Sequence, residues 1–271
     1  MRNRWKKIAL VTADFLLGGY LVAAFTAFNK PDESSRLCTK VTINIADNNT
    51  DGFITAQEIR NRLKVSGLYP LDKPLRYADT RRIEETLKKS PFVKTAECYK
   101  TQEGNVNISI SQMTPVIRIK ADNGDDYYID DKNTIMPNSH YASDLIIATG
   151  SISRKYATTC LSPLARAIQG NELWRNGIVQ INIQPDQGVE LVPRVGNHIV
   201  YIGQLPQDAP PAERDTLIAG FIDRKLSRLE KFYKYGLSQA GWNKYSYINL
   251  EFDNQIICKK RHHKEDNNKI E

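Results

Sequence analysis

The 271-residue sequence predicts an α+β protein: a single N-terminal transmembrane helix, a small domain of order β-α-α-β-β, and a strand-rich mixed domain with one short and one long helix. Three observations lead there. Residues 8–28 form an almost uncharged run, helix-period and strand-period patterns alternate over residues 40–113, and from Thr114 short β-branched runs recur between turn signals.

The first element is the apolar run. Arg2, Arg4, Lys6 and Lys7 precede it, and Asp14 is the one ionisable side chain from Ile8 to Phe28. A helix of this length rises about 31 Å, close to the roughly 30 Å of bilayer hydrocarbon. The basic flank places residues 1–7 in the cytoplasm and everything after Phe28 outside it. A cleavable signal peptide ending at the small residues Val22, Ala23 and Ala24 is the competing reading. The retained anchor is favoured because the apolar run continues through Phe25, Ala27 and Phe28. Residues 29–39 then read as a polar linker.

The small domain spans residues 40–113. "KVTINIA" alternates Val41, Ile43 and Ile45 with polar residues, as a half-buried strand does. It runs into "DNNTDGFITAQE", residues 47–58, which carries the calcium-loop ligands Asp47, Asn49, Asp51 and Glu58 around Gly52. Two structural demands compete for that glutamate. Thr55 and Glu58 also have the spacing of a capping box in front of a helix whose apolar face is Ile59 and Leu63, and a calcium loop needs a helix, not a strand, leading in. A second helix, "TRRIEETLKKS", is capped by Asp79 or Thr80 and stopped by Pro91. Two strands, "FVKTAECYK" and "NVNISISQ", follow around the "TQEG" turn.

Residues 114–260 form the strand-rich domain. "PVIRIKA", "DYYIDD", "NTIMP", "GIVQINIQ", "GVELVPRV" and "HIVYIG" read as strands. "SPLARAIQ" is the short helix, and the long one carries the stripe Ile218, Ile222, Leu226, Leu229, Tyr233 and Leu237, a face suited to packing on a sheet. "YSYINLEFDNQIICKK" closes the domain as a strand pair around Asp253 and Asn254. Residues 261–271 are polar enough to form a disordered tail.

Composition excludes several functions. The net charge of +7 is shared with the basic residues before the anchor, so nucleic acid is not expected as a partner. There is no nucleophile elbow, metal-binding helix pair or phosphate-binding glycine loop, so neither enzymatic activity, a cofactor nor a small-molecule substrate is expected. Cys38, Cys98, Cys160 and Cys258 lack Cys-x-x-Cys spacing and permit one or two disulfides in three full pairings. Cys258 with His262 and His263 offers only one thiol and reads as no metal site.

Taken together, the anchor, "IEETLKKSPFVKTAECYK", "ISQMTPVIRI", "YYIDDKNTIMP", "LWRNGIVQINI", "GVELVPRVGNHIVYIG" and "YINLEFDNQIICKK" resemble the FtsQ/DivIB family of bacterial cell-division proteins, with a POTRA-like domain followed by a β domain. The glycine-poor "DDKNT" turn, the cysteines and a C-terminal end like that of Bacteroidetes members depart from the better-known forms. The resemblance implies a non-enzymatic divisome scaffold of the inner membrane that binds FtsB-like and FtsL-like proteins and other divisome components and helps control septal peptidoglycan synthesis. It further implies that the last strands accept a partner strand, which places Tyr247, Ile248, Asn249, Leu250, Glu251, Phe252, Asn254, Ile256 and Ile257 on the binding surface. On that reading Tyr247, Asn249 and Glu251 face one side of an edge strand and Ile248, Leu250 and Phe252 the other. A POTRA-containing envelope-assembly or translocation factor and a calcium-binding exported protein are the alternatives.

Overall fold

The apolar run near the N-terminus is helical from Arg2 to Phe28 (α1) in the computed structural model, which describes residues 2–28, 36–46, 53–139 and 145–261. Side chains are described over residues 12–25 of this helix, where Phe15, Leu16, Leu21 and Phe25 are exposed. Among the described residues no helix is long and apolar enough to cross a membrane. The chain divides into two units, Met1–Gln112 and Met113–Glu271.

In the first unit the expected β-α-α-β-β order is present: β1 (Lys40–Ile45), α2 (Ala56–Val65), α3 (Thr80–Lys88), β2 (Val93–Lys100) and β3 (Asn105–Gln112). The sheet order is β1-β3-β2, with β1 parallel and β2 antiparallel to the central β3. Ile59 and Leu63 of α2 and Ile83 and Leu87 of α3 are buried with Val106, Ile108 and Ile110 of β3, each such side chain contributing about 1.5–3 kcal/mol. Caps fix where the helices begin. Asp79 accepts from the Arg82 amide at 3.0 Å, and Thr55 and Glu58 form the reciprocal capping box. The β2–β3 turn closes on Gly104, whose φ of +89° suits glycine.

The second unit is built on nine strands: β4 (Pro115–Ala121), β5 (Asp126–Asp130), β6 (Ile135–Pro137), β7 (Ile146–Gly150), β8 (Ile178–Ile183), β9 (Gly188–Pro193), β10 (Ile199–Gln204), β11 (Tyr245–Asn249) and β12 (Ile257–Lys260). They form one sheet of order β12-β11-β10-β9-β8-β7-β4-β5-β6. Sequence reasoning missed β7, which lies between β4 and β8 and is parallel to both. It ends on Gly150, φ +100°, where a Cβ would stand 2.1 Å from the Ile183 carbonyl oxygen, so no other residue fits.

Two helical stretches serve this sheet. The first comprises α4 (Arg154–Tyr156), a π turn (Ala157–Leu161) and α5 (Ser162–Gln169). The second comprises α6 (Pro211–Phe232), a π turn (Tyr233–Leu237) and α7 (Ser238–Ala240). The expected stripe from Ile218 to Leu237 is buried at all six positions, in one core with Ile181, Leu191, Val200 and Ile248 from the sheet. None of the pairings left open by the sequence forms, since all four cysteines are unpaired. Cys38, Cys98 and Cys160 are buried, and burial pushes the Cys98 thiol up to about 12, away from thiolate reactivity.

Candidate partner-binding edge

The predicted site residues lie at one end of the nine-stranded sheet, where the chain adds two strands in succession. β11 joins β10 in parallel through three residue pairs, Ile199 with Tyr247, Val200 with Ile248 and Tyr201 with Asn249. Ile248 and Leu250 are fully buried because they alternate onto the face covered by α6. On the opposite face Tyr247 stacks on Tyr201 at 6.3 Å, and its hydroxyl donates to Glu190 at 3.3 Å. Burial, reinforced by that carboxylate, raises the Tyr247 pKa, so the phenol stays protonated.

After Leu250 the alternation stops. Leu250 donates its amide to the Tyr201 carbonyl at 2.8 Å, but the next amide, of Glu251, turns back to the Asn249 side chain at 2.7 Å. An ammonium then seizes the turn. Lys225 of α6, only 3% exposed, donates to the Leu250 and Glu251 carbonyls at 2.9 and 2.7 Å and to the Asp253 carboxylate at 3.1 Å. Arg228, one helical turn on, donates to the Gln255 carbonyl at 2.7 Å. These contacts satisfy a buried charge that would otherwise be costly, and the hydrogen bond from Lys225 holds the Asp253 carboxyl below its ordinary pKa.

This turn corrects the expected edge. Phe252 is 49% exposed and does not share the inward face with Ile248 and Leu250, because the backbone has already left the strand. Glu251, Phe252 and Asn254 lie in the connection, while Ile256 packs on the core. Over Tyr247–Asn249 β11 is paired on both sides, with β10 and β12, so its backbone groups there are occupied. The outer strand is β12, antiparallel to β11, and among the described residues nothing pairs on its far side. Its side chains are Ile257, 48% exposed, then Cys258, Lys259 and Lys260. Arg261 continues the line, giving its amide to the Lys244 carbonyl at 2.9 Å and its guanidinium to the Asn197 carbonyl.

The residues named from sequence thus lie together at one end of the sheet, and Lys259, Lys260 and the two α6 cations beside them were not among them. Lys225 carried a signal: it falls on the apolar stripe three residues after Ile222 and four before Leu229, where a lysine needs a buried acceptor.

The calcium-loop residues Asp47, Asn49 and Asp51 lie outside the described residues, as do His262 and His263. Glu58 is described, and its carboxylate accepts from the Thr55 amide at 2.8 Å while Thr55 Oγ1 accepts from the Glu58 amide at 3.2 Å. Among the described residues no group of three or more His, Cys, Asp or Glu side chains could hold a metal ion.

The comparisons with known families fall on the two units in turn. The POTRA-like domain family matches residues 36–111, and the family described as FtsQ/DivIB, C-terminal related matches residues 114–259, more than half of the chain. No functionally curated protein gives a significant match.

Proposed function

The chain belongs to the FtsQ/DivIB family of cell-division proteins, and from that membership we propose that it is a non-enzymatic divisome scaffold whose β12 edge receives a strand from an FtsB-like partner. Residues 8–28 anchor it in the inner membrane with a cytoplasmic N-terminus, the rest being periplasmic. Through the FtsB-like and FtsL-like pair it helps control septal peptidoglycan synthesis.

One observation carries this reading. Among the described residues β12 has no strand on its outer side, the strand before it is paired on both sides over Tyr247–Asn249, and a buried lysine fixes the turn that presents the edge. Main-chain hydrogen bonds supply affinity in such an arrangement, and the exposed Ile257 and Lys259 supply selectivity. The remaining proposed contacts, Tyr247 to Phe252, Asn254 and Ile256, act as the shelf behind that edge.

Binding of the full chain in detergent micelles to the periplasmic part of the FtsB-like protein tests it. Ile257→Glu is expected to weaken binding by more than about tenfold with little change in melting temperature, as loss of an exposed interface anchor should. Undiminished binding by a folded variant rejects the edge. Depletion of the protein should give elongated cells without septa.

The envelope-assembly alternative gains nothing from the match over residues 114–259, which is to a division family. For the calcium alternative, the engagement of Glu58 by the helix cap points to structure. Thr55→Ala should cost about 1 kcal/mol whether or not calcium is present.

A further inference from the structure

The loop between β9 and β10 is tied to the long helix by a buried imidazole. His198 is 4% exposed, and its Nε2 pairs with the Tyr233 hydroxyl at 2.6 Å, the two rings standing at right angles. Tyr233 opens the π turn that follows α6, where Trp174 and Trp242 pack on its ring at 5.7 and 5.2 Å. The other ring nitrogen, Nδ1, is buried with no hydrogen-bond partner among the described residues. Gly196, φ +80°, lies against that side of the ring. A Cβ there would stand 2.6 Å from Nδ1, so the loop's own backbone covers the unpartnered nitrogen.

A cation acts on the same ring. Arg261 donates its guanidinium to the carbonyl of Asn197, the residue before His198, and its charge opposes a second positive charge there. Other charged groups on the surrounding elements are Arg194 on the same loop, whose Nε donates to the Asn176 carbonyl at 2.9 Å, and Glu230 and Lys234 near Tyr233 on the helix. Lys244 and Lys260 lie where β11 meets β12. None of them bonds to the imidazole.

Protonation places a hydrogen on both ring nitrogens. Nε2–H turns to the phenol oxygen, but Nδ1–H is buried without an acceptor. Burial, reinforced by Arg261, accordingly holds the His198 pKa below its ordinary value. A histidine kept neutral by its fold contributes fully above its ordinary pKa, about 6.5, and loses that contribution progressively as pH falls below it.

We propose that His198 is an acid-sensitive latch: its protonation releases the loop from Arg194 to His198 off the π turn of the long helix while the rest of the sheet stays closed. Opening withdraws Val195 from an apolar groove of about 590 Å³ that Trp174, Tyr233 and Trp242 also line, and uncovers the Trp174 indole, 3% exposed when the loop is closed. The device is independent of strand addition at β12.

Hydrogen exchange of the full chain in detergent micelles, corrected for the intrinsic rate at each pH, tests it. The reporter is the Arg194 amide, bonded to the Gly177 carbonyl at 2.8 Å. Between pH 7.5 and 5.5 its opening constant should rise by more than about threefold, the ceiling for an imidazole of ordinary pKa being about tenfold. The amides of Ile117 and Tyr128, at the far end of the sheet, should not respond. His198→Gln keeps a hydrogen-bonding side chain that does not titrate and should abolish the response. Tyr233→Phe should raise opening at both pH values and keep the response. A smaller native response, an equal response in His198→Gln, or acceleration across the whole sheet overturns the latch. Should His198→Gln fail to fold, the imidazole resonance decides, read in a chain carrying His140→Gln, His262→Gln and His263→Gln. Titration below the ordinary pKa upholds the latch, and titration at or above it overturns the latch.

Discussion

The two ends of the nine-stranded sheet solve the same problem in opposite ways. Any edge strand presents unpaired amides and carbonyls and invites another strand to join. At one end, β6 is three residues long and its last residue is Pro137, which has no amide hydrogen to offer. Behind it, Arg118 forms a bidentate pair with Asp126 at 2.9 and 2.8 Å, and Asn138 donates to the same carboxylate at 2.8 Å, tying the end of the sheet shut. At the other end, β12 contains no proline, and its polar ties from Lys225 and Arg228 run to the turn before it rather than across its outer side. One edge is closed, and the other is held firmly in place with no strand among the described residues on its outer side. For the proposed strand addition, the cations on β12 favour an acidic partner strand over a basic one.

The largest way to break this contrast is from the closed end. Met136 is fully buried at the centre of β6, and Met136→Ala should lower stability by about 3 kcal/mol in chemical denaturation. Partner binding by the folded fraction should be unchanged, because the cavity is at the far edge. Loss of affinity would mean the two ends are coupled.

Next in size is Lys225→Met, which keeps the stem and removes the ammonium. It leaves the Glu251 carbonyl without its donor and the Leu250 carbonyl with only the longer bond from Arg228 at 3.4 Å, and should cost about 2 kcal/mol. Hydrogen exchange should accelerate at Ile248 and Cys258 but not at Tyr128 or Met136. Uniform acceleration would show that the clasp serves the whole sheet and not the open end.

Acid sharpens the comparison further. Lys225 holds Asp253, and Arg118 holds Asp126, below their ordinary pKa. A carboxyl whose folded pKa is depressed stabilises the fold above its unfolded value, about 3.9, and loses that contribution as pH falls through the folded value. The melting temperature should therefore be flat with respect to these two groups from pH 7 to 5 and decline below about pH 4. Asp253→Asn should remove part of that decline, and an unchanged profile would show that the Asp253 contact contributes nothing in solution. The smallest effect belongs to Pro137→Thr, which restores a donor to the closed edge. Stability should move by less than about 0.5 kcal/mol, while sedimentation at high concentration reveals self-association absent from the native chain.

These contrasts also mark what the sequence could and could not disclose. The capping box at Thr55 and Glu58, the helical stripe from Ile218 to Leu237 and the strands around Ile117 and Ile181 are local patterns, each written in a few neighbouring residues, and the structure contains them. β7 escaped because "IIATG" is short, apolar and small, a signal shared with helices and resolved only by its neighbours β4 and β8. The identity of the open edge was hidden for a related reason. β11 pairs in parallel with β10 across the whole of α6, a long-range arrangement that no period of two in "YINLEF" can announce. Phe252 fits the alternation by counting and leaves it in space because Asn249 and Lys225 bend the chain first.

The parallel union of β10 and β11 also has a mechanical side. Three residue pairs and the Leu250 amide on the Tyr201 carbonyl join the terminal hairpin to β10, side by side between strands running in the same direction. Traction entering along β12 loads those bonds together in shear instead of peeling them one by one. The Lys225 ammonium, gripping the hairpin at its bend, transfers part of that load into the long helix behind it. The hairpin is in this respect a coupling, and its tensile strength is set by those bonds and that grip.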